Sequence, residues 1–187
     1  MRHSSMDGSR MTSVSWREKR KRPSTAASNA NTDSSISMSN RRILVAASKG
    51  GHWDQMMILR NAFDGLQLTY VTTDKALLRE PCALHGYSVP DCNRNRPLLI
   101  LWCLLISVVI VFRVRPHYVL STGALPGLFC VLAGRLVGAE TIWVDSIANA
   151  ERLSMCGRVA TRLANLCLTQ WEHLSRPAGP RYSGSIL

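Results

Sequence analysis

The chain has 187 residues, 23 Lys and Arg against 12 Asp and Glu, and a formal net charge of +11. That length suits one domain with a tail. Its six cysteines (Cys82, Cys92, Cys103, Cys130, Cys156, Cys167) form no Cys-x-x-Cys pair and no cluster with histidine at metal spacing. This argues against a disulfide framework or a zinc site and reads as small core residues of a reducing compartment.

The first 42 residues hold eleven serines, nine Lys and Arg, three Asp and Glu, and almost no aliphatic side chains. So polar a segment cannot bury enough surface to offset its ordering entropy. A disordered basic tail is expected over 1–41 and a folded domain over 42–187. The basic run from Trp16 to Pro23 has three readings: a solvated charge run, attraction to anionic lipid headgroups, or a nucleic-acid patch. No apolar segment follows these charges, so the tail is not a secretory signal.

From residue 42 onward, strand-like and helix-like segments alternate. Residues 43–47 are apolar and read as a strand. They end in Ser48-Lys49-Gly50-Gly51-His52, a turn whose glycines leave helix-start amides free to meet an anion. A helix is expected over 54–63, a strand over 66–72, a short helix over 75–85 and a short strand at 87–89. A long apolar helix covers 98–112. Then come a strand at 118–121, a helix over 126–137 with proline in its first turn, a strand at 141–144, a helix over 157–165 and a strand at 166–169. This order predicts an α/β fold: a Rossmann-like parallel sheet with helices on both faces.

In such sheets function gathers beyond the carboxyl ends of strands. That rule selects residues 48–52, 72–74, 121–127, 145–149 and 170–172. Ser121, Thr122 and Gly123 place hydroxyls and a glycine between strand and helix, where they can meet a phosphate or simply cap the turn. Asp145, followed by Ser146, can orient a sugar hydroxyl or a base, or cap its own turn.

Residues 98–112 are fifteen uncharged apolar residues, about 22 Å of helix against a hydrocarbon core of roughly 30 Å. Arg94 and Arg96 precede them; Arg113 and Arg115 follow. Basic residues at both ends suit a helix lying in the membrane interface, with Leu98, Leu101, Trp102 and Leu105 in contact with lipid. A buried crossover helix and a true span are the other readings.

Five segments in order carry a resemblance: residues 48–52; 121–123; Trp143-Val144-Asp145-Ser146-Ile147-Ala148; Leu153-Ser154 with Gly157-Arg158; and Gln170-Trp171-Glu172. Together they resemble the acceptor-side subunit of split GT-B glycosyltransferases. Examples are the membrane-anchor subunit of the dolichol-pathway N-acetylglucosaminyltransferase and its bacterial exopolysaccharide and capsule counterparts. Both are similar to the N-terminal half of the peptidoglycan enzyme that makes lipid II. The resemblance covers roughly 42–187.

It implies the N-terminal half of a GT-B enzyme, at the cytoplasmic face of a bacterial inner membrane or an ER membrane. Ser48, Gly50, Gly51, Ser121, Thr122 and Gly123 would line the diphosphate of a polyprenyl-diphosphate-linked acceptor. His52 would deprotonate the acceptor hydroxyl, a role suited to a neutral imidazole. Asp145, Ser146 and Glu172 would orient acceptor or sugar. The UDP-sugar would be bound by a separate donor-domain subunit, and no cofactor or metal is implied. Two features depart from the family: eukaryotic members usually begin with a membrane-spanning helix, where residues 1–42 of this chain are polar and basic, and Trp53 follows the Gly-Gly-His where a small or aliphatic residue is usual. A non-catalytic scaffold that recruits a partner to the membrane is the alternative. Nucleic-acid binding is disfavoured, because the charge excess of the tail lacks interleaved aromatics.

Overall fold

The computed structural model describes residues 41–80, 83, 85–92 and 95–186. The tail reading, apart from Arg41, lies outside the described residues, as do the readings of Arg94 and Cys82. The strands are β1 (Arg42–Ala47), β2 (Gln67–Thr72), β3 (Gly86–Ser88), β4 (Tyr118–Ser121), β5 (Glu140–Val144), β6 (Leu166–Thr169) and β7 (Arg181–Tyr182). They form one seven-stranded sheet in the order β3-β2-β1-β4-β5-β6-β7. Every neighbouring pair is parallel. The helices are α1 (Gly51–Leu59), α2 (Pro97–Val114), α3 (Ala124–Leu136) and α4 (Met155–Leu163).

A parallel sheet must be covered on both faces, so its strands are apolar on both sides. In β1 the residues from Ile43 to Ala47 are all buried. Ile43, Val45 and Ala47 pack with Trp53, Met56 and Tyr70 on the α1 face, and Leu44 and Ala46 join the core beneath α2, α3 and α4. Strand order reverses between β1 and β4, so the chain moves outward in both directions from that pair. Such a switch point leaves a crevice at the carboxyl ends of the two strands.

Trp53, the unusual residue after Gly-Gly-His, is 3% exposed, and its ring stands 5.6 Å from that of Tyr70. It fills the core under α1.

Within the expected helix over 75–85, the described residues 75–80 form a 3-10 turn, Leu77–Arg79. Pro81, which cannot donate a backbone hydrogen bond, stands two residues beyond it. Several helices start earlier than expected. α1 begins at Gly51, and α4 begins at Met155 because the Ser154 hydroxyl accepts from the Gly157 amide at 2.8 Å. β7 was not anticipated: two exposed residues, Arg181 and Tyr182, carry no apolar alternation.

α2 is three residues longer than expected and about 27 Å long. Among the described residues it is the one helix long and apolar enough to cross a membrane by length and composition. Its two faces differ. Cys103, Ser107, Ile110 and Val111 are buried, and α2 packs on α3. Leu98, Leu101, Trp102, Leu105, Val109 and Phe112 are exposed, Leu98 by 83%. Those positions recur at spacings of three and four and form one stripe. Ser107 is accommodated at the packed face because its hydroxyl donates to the Cys103 carbonyl at 2.7 Å.

α3 packs closely on the sheet through Gly134. A Cβ there would stand 2.7 Å from Val119 Cγ2 and 3.1 Å from Thr141 Cγ2. Gly134→Val should therefore destabilise the fold by about 2–3 kcal/mol through overpacking. Equilibrium urea unfolding checks this, and an unchanged midpoint would contradict the packing described.

Candidate functional site

At the switch point the two strand-end loops are joined through His52. The Nδ1 of His52 lies 3.0 Å from the Thr122 carbonyl oxygen. A carbonyl can only accept, so Nδ1 carries the proton and donates. In the neutral ring this leaves the lone pair on Nε2. The Thr122 hydroxyl in turn donates to the His52 carbonyl at 2.6 Å. The two bonds clamp the start of α1 to the end of β4. The ring lies against the Cα of Gly123: a Cβ added there would collide with its imidazole atoms. Gly123, at φ 145, is also in backbone territory that favours glycine.

Two helix N-termini meet at this histidine. α1 is capped by Gly50 at φ 77 with no side-chain cap bond. Trp53 and Asp54 amides return to the Gly50 carbonyl at 2.8 and 3.1 Å, so the amides of Gly51 and His52 are left without helical partners. Nothing stands within 4 Å of a Cβ built on Gly50 or Gly51, so that approach is open. α3 begins at Ala124 after Gly123, again with no side-chain cap bond. Ala124 holds φ 66, a left-handed conformation that costs a non-glycine residue of order 1 kcal/mol. Uncapped helix starts aimed at one crevice suit an anion.

The other predicted residues have different surroundings. Ser48 is half-buried at the end of β1. Ser121 and Thr122 are fully buried. The Ser121 hydroxyl accepts from the Gly123 amide at 3.2 Å and presses on Gly127, so it shapes the loop from below. Gly50, Gly51, His52, Thr122 and Gly123 are brought together.

Asp145 is 1% exposed and its carboxylate is already occupied. It accepts from Trp143 Nε1 (3.1 Å), Asn149 Nδ2 (3.3 Å), the Ser154 amide (3.0 Å) and the Ser154 hydroxyl (2.6 Å). Of the two roles open to it in the sequence, it performs the turn-building one. Ser146 is nearly buried, and its hydroxyl accepts from the Ala148 amide at 3.4 Å. Glu172 is exposed at the start of the 3-10 turn Glu172–Leu174. Its neighbours hold the loop after β5: Trp171 Nε1 donates to the Ile147 carbonyl at 2.8 Å, and His173 Nε2 lies 2.7 Å from the Ala150 carbonyl.

The sequence did not point to the hydroxyl–carbonyl exchange between Thr122 and His52, because the partners are seventy residues apart. Nor did it point to the supports of Asp145. The spacing Asp-x8-Ser, with Ser154 as a helix cap, is the signal that could have found them. Burial pushes the Cys130 thiol up to about 12 and Cys167 up to about 11. Cys156 is raised by burial and by the nearby charge of Asp145. None of these is a thiolate nucleophile at neutral pH. Among the described residues no group of three or more His, Cys, Asp or Glu side chains is arranged to hold a metal ion.

The sequence matches no family model and no curated protein. Solved structures do resemble the fold. MurG from Acinetobacter baumannii is 14% identical with a TM-score of 0.63, over 78% of this chain and 45% of that one. MnaA from S. aureus, solved with UDP, is 14% identical with a TM-score of 0.53, over 70% and 38%. UDP-GlcNAc 2-epimerase from Methanocaldococcus jannaschii is 10% identical with a TM-score of 0.51, over 68% and 39%. The chain thus spans less than half the length of each. Its all-parallel sheet with helices on both faces matches one half of GT-B-like folds.

Asp145→Asn tests the buried carboxylate. An amide nitrogen in place of one oxygen would face the donors of Ser154 or Trp143. Stability should fall by about 2–3 kcal/mol, the range for hydrogen bonds to a buried charged group. Thermal or urea unfolding reads the change, and a loss below about 0.5 kcal/mol would mean the carboxylate is dispensable.

Proposed function

We propose that this chain is the acceptor-binding, membrane-anchoring half of a two-subunit glycosyltransferase. Its partner, a separate GT-B donor-domain subunit, binds the UDP-sugar, and the acceptor is linked to a polyprenyl diphosphate. The setting is polysaccharide or lipid-linked oligosaccharide synthesis at the cytoplasmic face of a membrane. The observation that carries the reading is His52, tautomer set by Thr122, between two uncapped helix starts. The GT-B-like half-fold and the five ordered motifs support it.

In this mechanism the first-turn amides of α1 and α3 hold the acceptor diphosphate by charge-assisted hydrogen bonds. The acceptor sugar hydroxyl gives its proton to His52 Nε2 as its oxygen bonds to the anomeric carbon. The bond from that carbon to the UDP oxygen breaks, and UDP leaves with the electron pair. The Thr122 carbonyl then faces an imidazolium Nδ1–H, a bond that strengthens as charge develops. The donor must be held in line by the partner, so isolated chain has no turnover.

The outer stripe of α2, with exposed Arg96, Arg113 and Arg115 at its ends, supports docking along the membrane interface. A helix packed on α3 by one face and apolar on the other needs a second apolar medium without leaving the domain.

Two outcomes test this reading. In the reconstituted complex, His52→Asn should lower turnover by roughly 10²–10⁴-fold and abolish the acid limb of the pH profile, while complex formation persists. Full activity in that variant would favour the scaffold reading. Separately, Leu101, Trp102 and Leu105 replaced by glutamine should move the chain from sedimenting vesicles to the supernatant. High salt alone should release it only partly, because apolar burial is not screened. Complete release by salt would assign binding to basic residues.

A further inference from the structure

Lys49 immediately precedes the Gly50 cap of α1. Its amide is fixed by the Thr73 hydroxyl at 3.0 Å, while its ammonium reaches Asp91 Oδ2 at 3.5 Å. Both side chains are more than half exposed, at 60% and 55%. Such a pair contributes at most about 1 kcal/mol and is readily exchanged. Asp91 stands just past β3, so the pair bridges from the β1–α1 turn across the end of β2.

A second observation marks this turn as a polar site. Gln55 is 5% exposed, and neither its Nε2 nor its Oε1 has a hydrogen-bond partner among the described residues. It lies one helical turn after Gly51. With Trp53 and Met56 it forms the buried face of α1. Thr72, fully buried, has an unpartnered hydroxyl and sits in register with Ala47, the last residue of β1. Buried polar atoms of this kind are costly unless something pairs with them. Thr72 closes β2 beside the end of β1 and Gln55 stands in the second turn of α1, so both flank the β1–α1 turn, whose approach above Gly50 and Gly51 is open.

We propose that Lys49 is an exchangeable diphosphate ligand. It is held by Asp91 in the free chain and transfers its ammonium to the acceptor's diphosphate when that group seats on the α1 N-terminus. The inference rests on the diphosphate reading above and adds to it a residue and an exchange. Asp91 thereby becomes a competitor: it keeps the ammonium near the site but weakens the anion by the cost of breaking the pair. The transfer makes and breaks no covalent bond. It swaps one charge-assisted contact for another with a more highly charged partner.

Calorimetric titration of inorganic pyrophosphate into the full chain, at about 50 and about 200 mM salt, tests the exchange. Lys49→Ala should weaken binding roughly tenfold and flatten its salt dependence. Asp91→Asn should tighten it roughly threefold, but only while Lys49 is present. An unchanged Lys49→Ala affinity would overturn the proposal. Equal tightening by Asp91→Asn in the Lys49→Ala background would also overturn it, since Asp91 would then act by long-range repulsion alone. A short-chain prenyl diphosphate should show the same Lys49 dependence. Dependence seen with pyrophosphate alone would overturn the acceptor assignment. If wild-type chain binds neither compound, the diphosphate reading itself fails, whatever the variants do. Both substitutions are on exposed side chains, and unchanged far-UV circular dichroism shows that the fold persists.

Discussion

Parallel pairing of β1 with β4 is the constraint from which the site follows. The two strands come from opposite sides of a long excursion through β2, β3 and α2, yet they end level, with Ala46 beside Ser121. Parallel strands ending level must each turn back through a helix, so two helix starts arise side by side at one end of the sheet. The clamp between His52 and Thr122 is then a local matter of two residues placed opposite each other. Were either strand displaced in register, the imidazole would lose both its carbonyl partner and the glycine floor beneath it.

The same parallel order forces both faces of the sheet to be covered, and the coverings differ in kind. On one side α1 and two 3-10 turns lie over Tyr70 and Ile43. On the other, α2, α3 and α4 form a continuous layer over Leu44, Val119 and Trp143. α2 sits at an outer flank of that layer, with α3 inboard. One face therefore completes the core while the other meets no protein among the described residues. Its end is fixed to the sheet: Arg115 adopts φ 46 as it ends the helix, and its carbonyl receives the Arg42 guanidinium at 2.8 Å. Which residues face outward is thus set by contacts at the helix terminus as well as by its packing.

The alternation of elements was legible in the sequence because strands such as Ile43–Ala47 are apolar throughout, as doubly covered strands must be. The Gly-Gly-His turn was legible because paired glycines after such a strand have few other uses. Less legible were features whose signal is spread along the chain. The ends of α1 and α4 depend on a glycine carbonyl and on one serine hydroxyl. The region 75–85 has helical composition but is interrupted by Pro81. Asp145 looked equally suited to substrate and to turn. Only its four donors, three of them beyond the strand and one from Trp143, decide between them. The Thr122 contribution could not be read, since its chemistry comes from a backbone carbonyl that every residue possesses.

The room around Asp145 is as tightly set as its bonding. Gly157 stands directly against the carboxylate, and any side chain there would occupy the place of an oxygen. Position 157 is therefore not free to vary while Asp145 keeps its place. A Cβ at 157 would also stand 2.9 Å from Ser154 Oγ, so a smaller residue at 145 does not by itself make room for alanine, and the helix-capping serine shares the constraint.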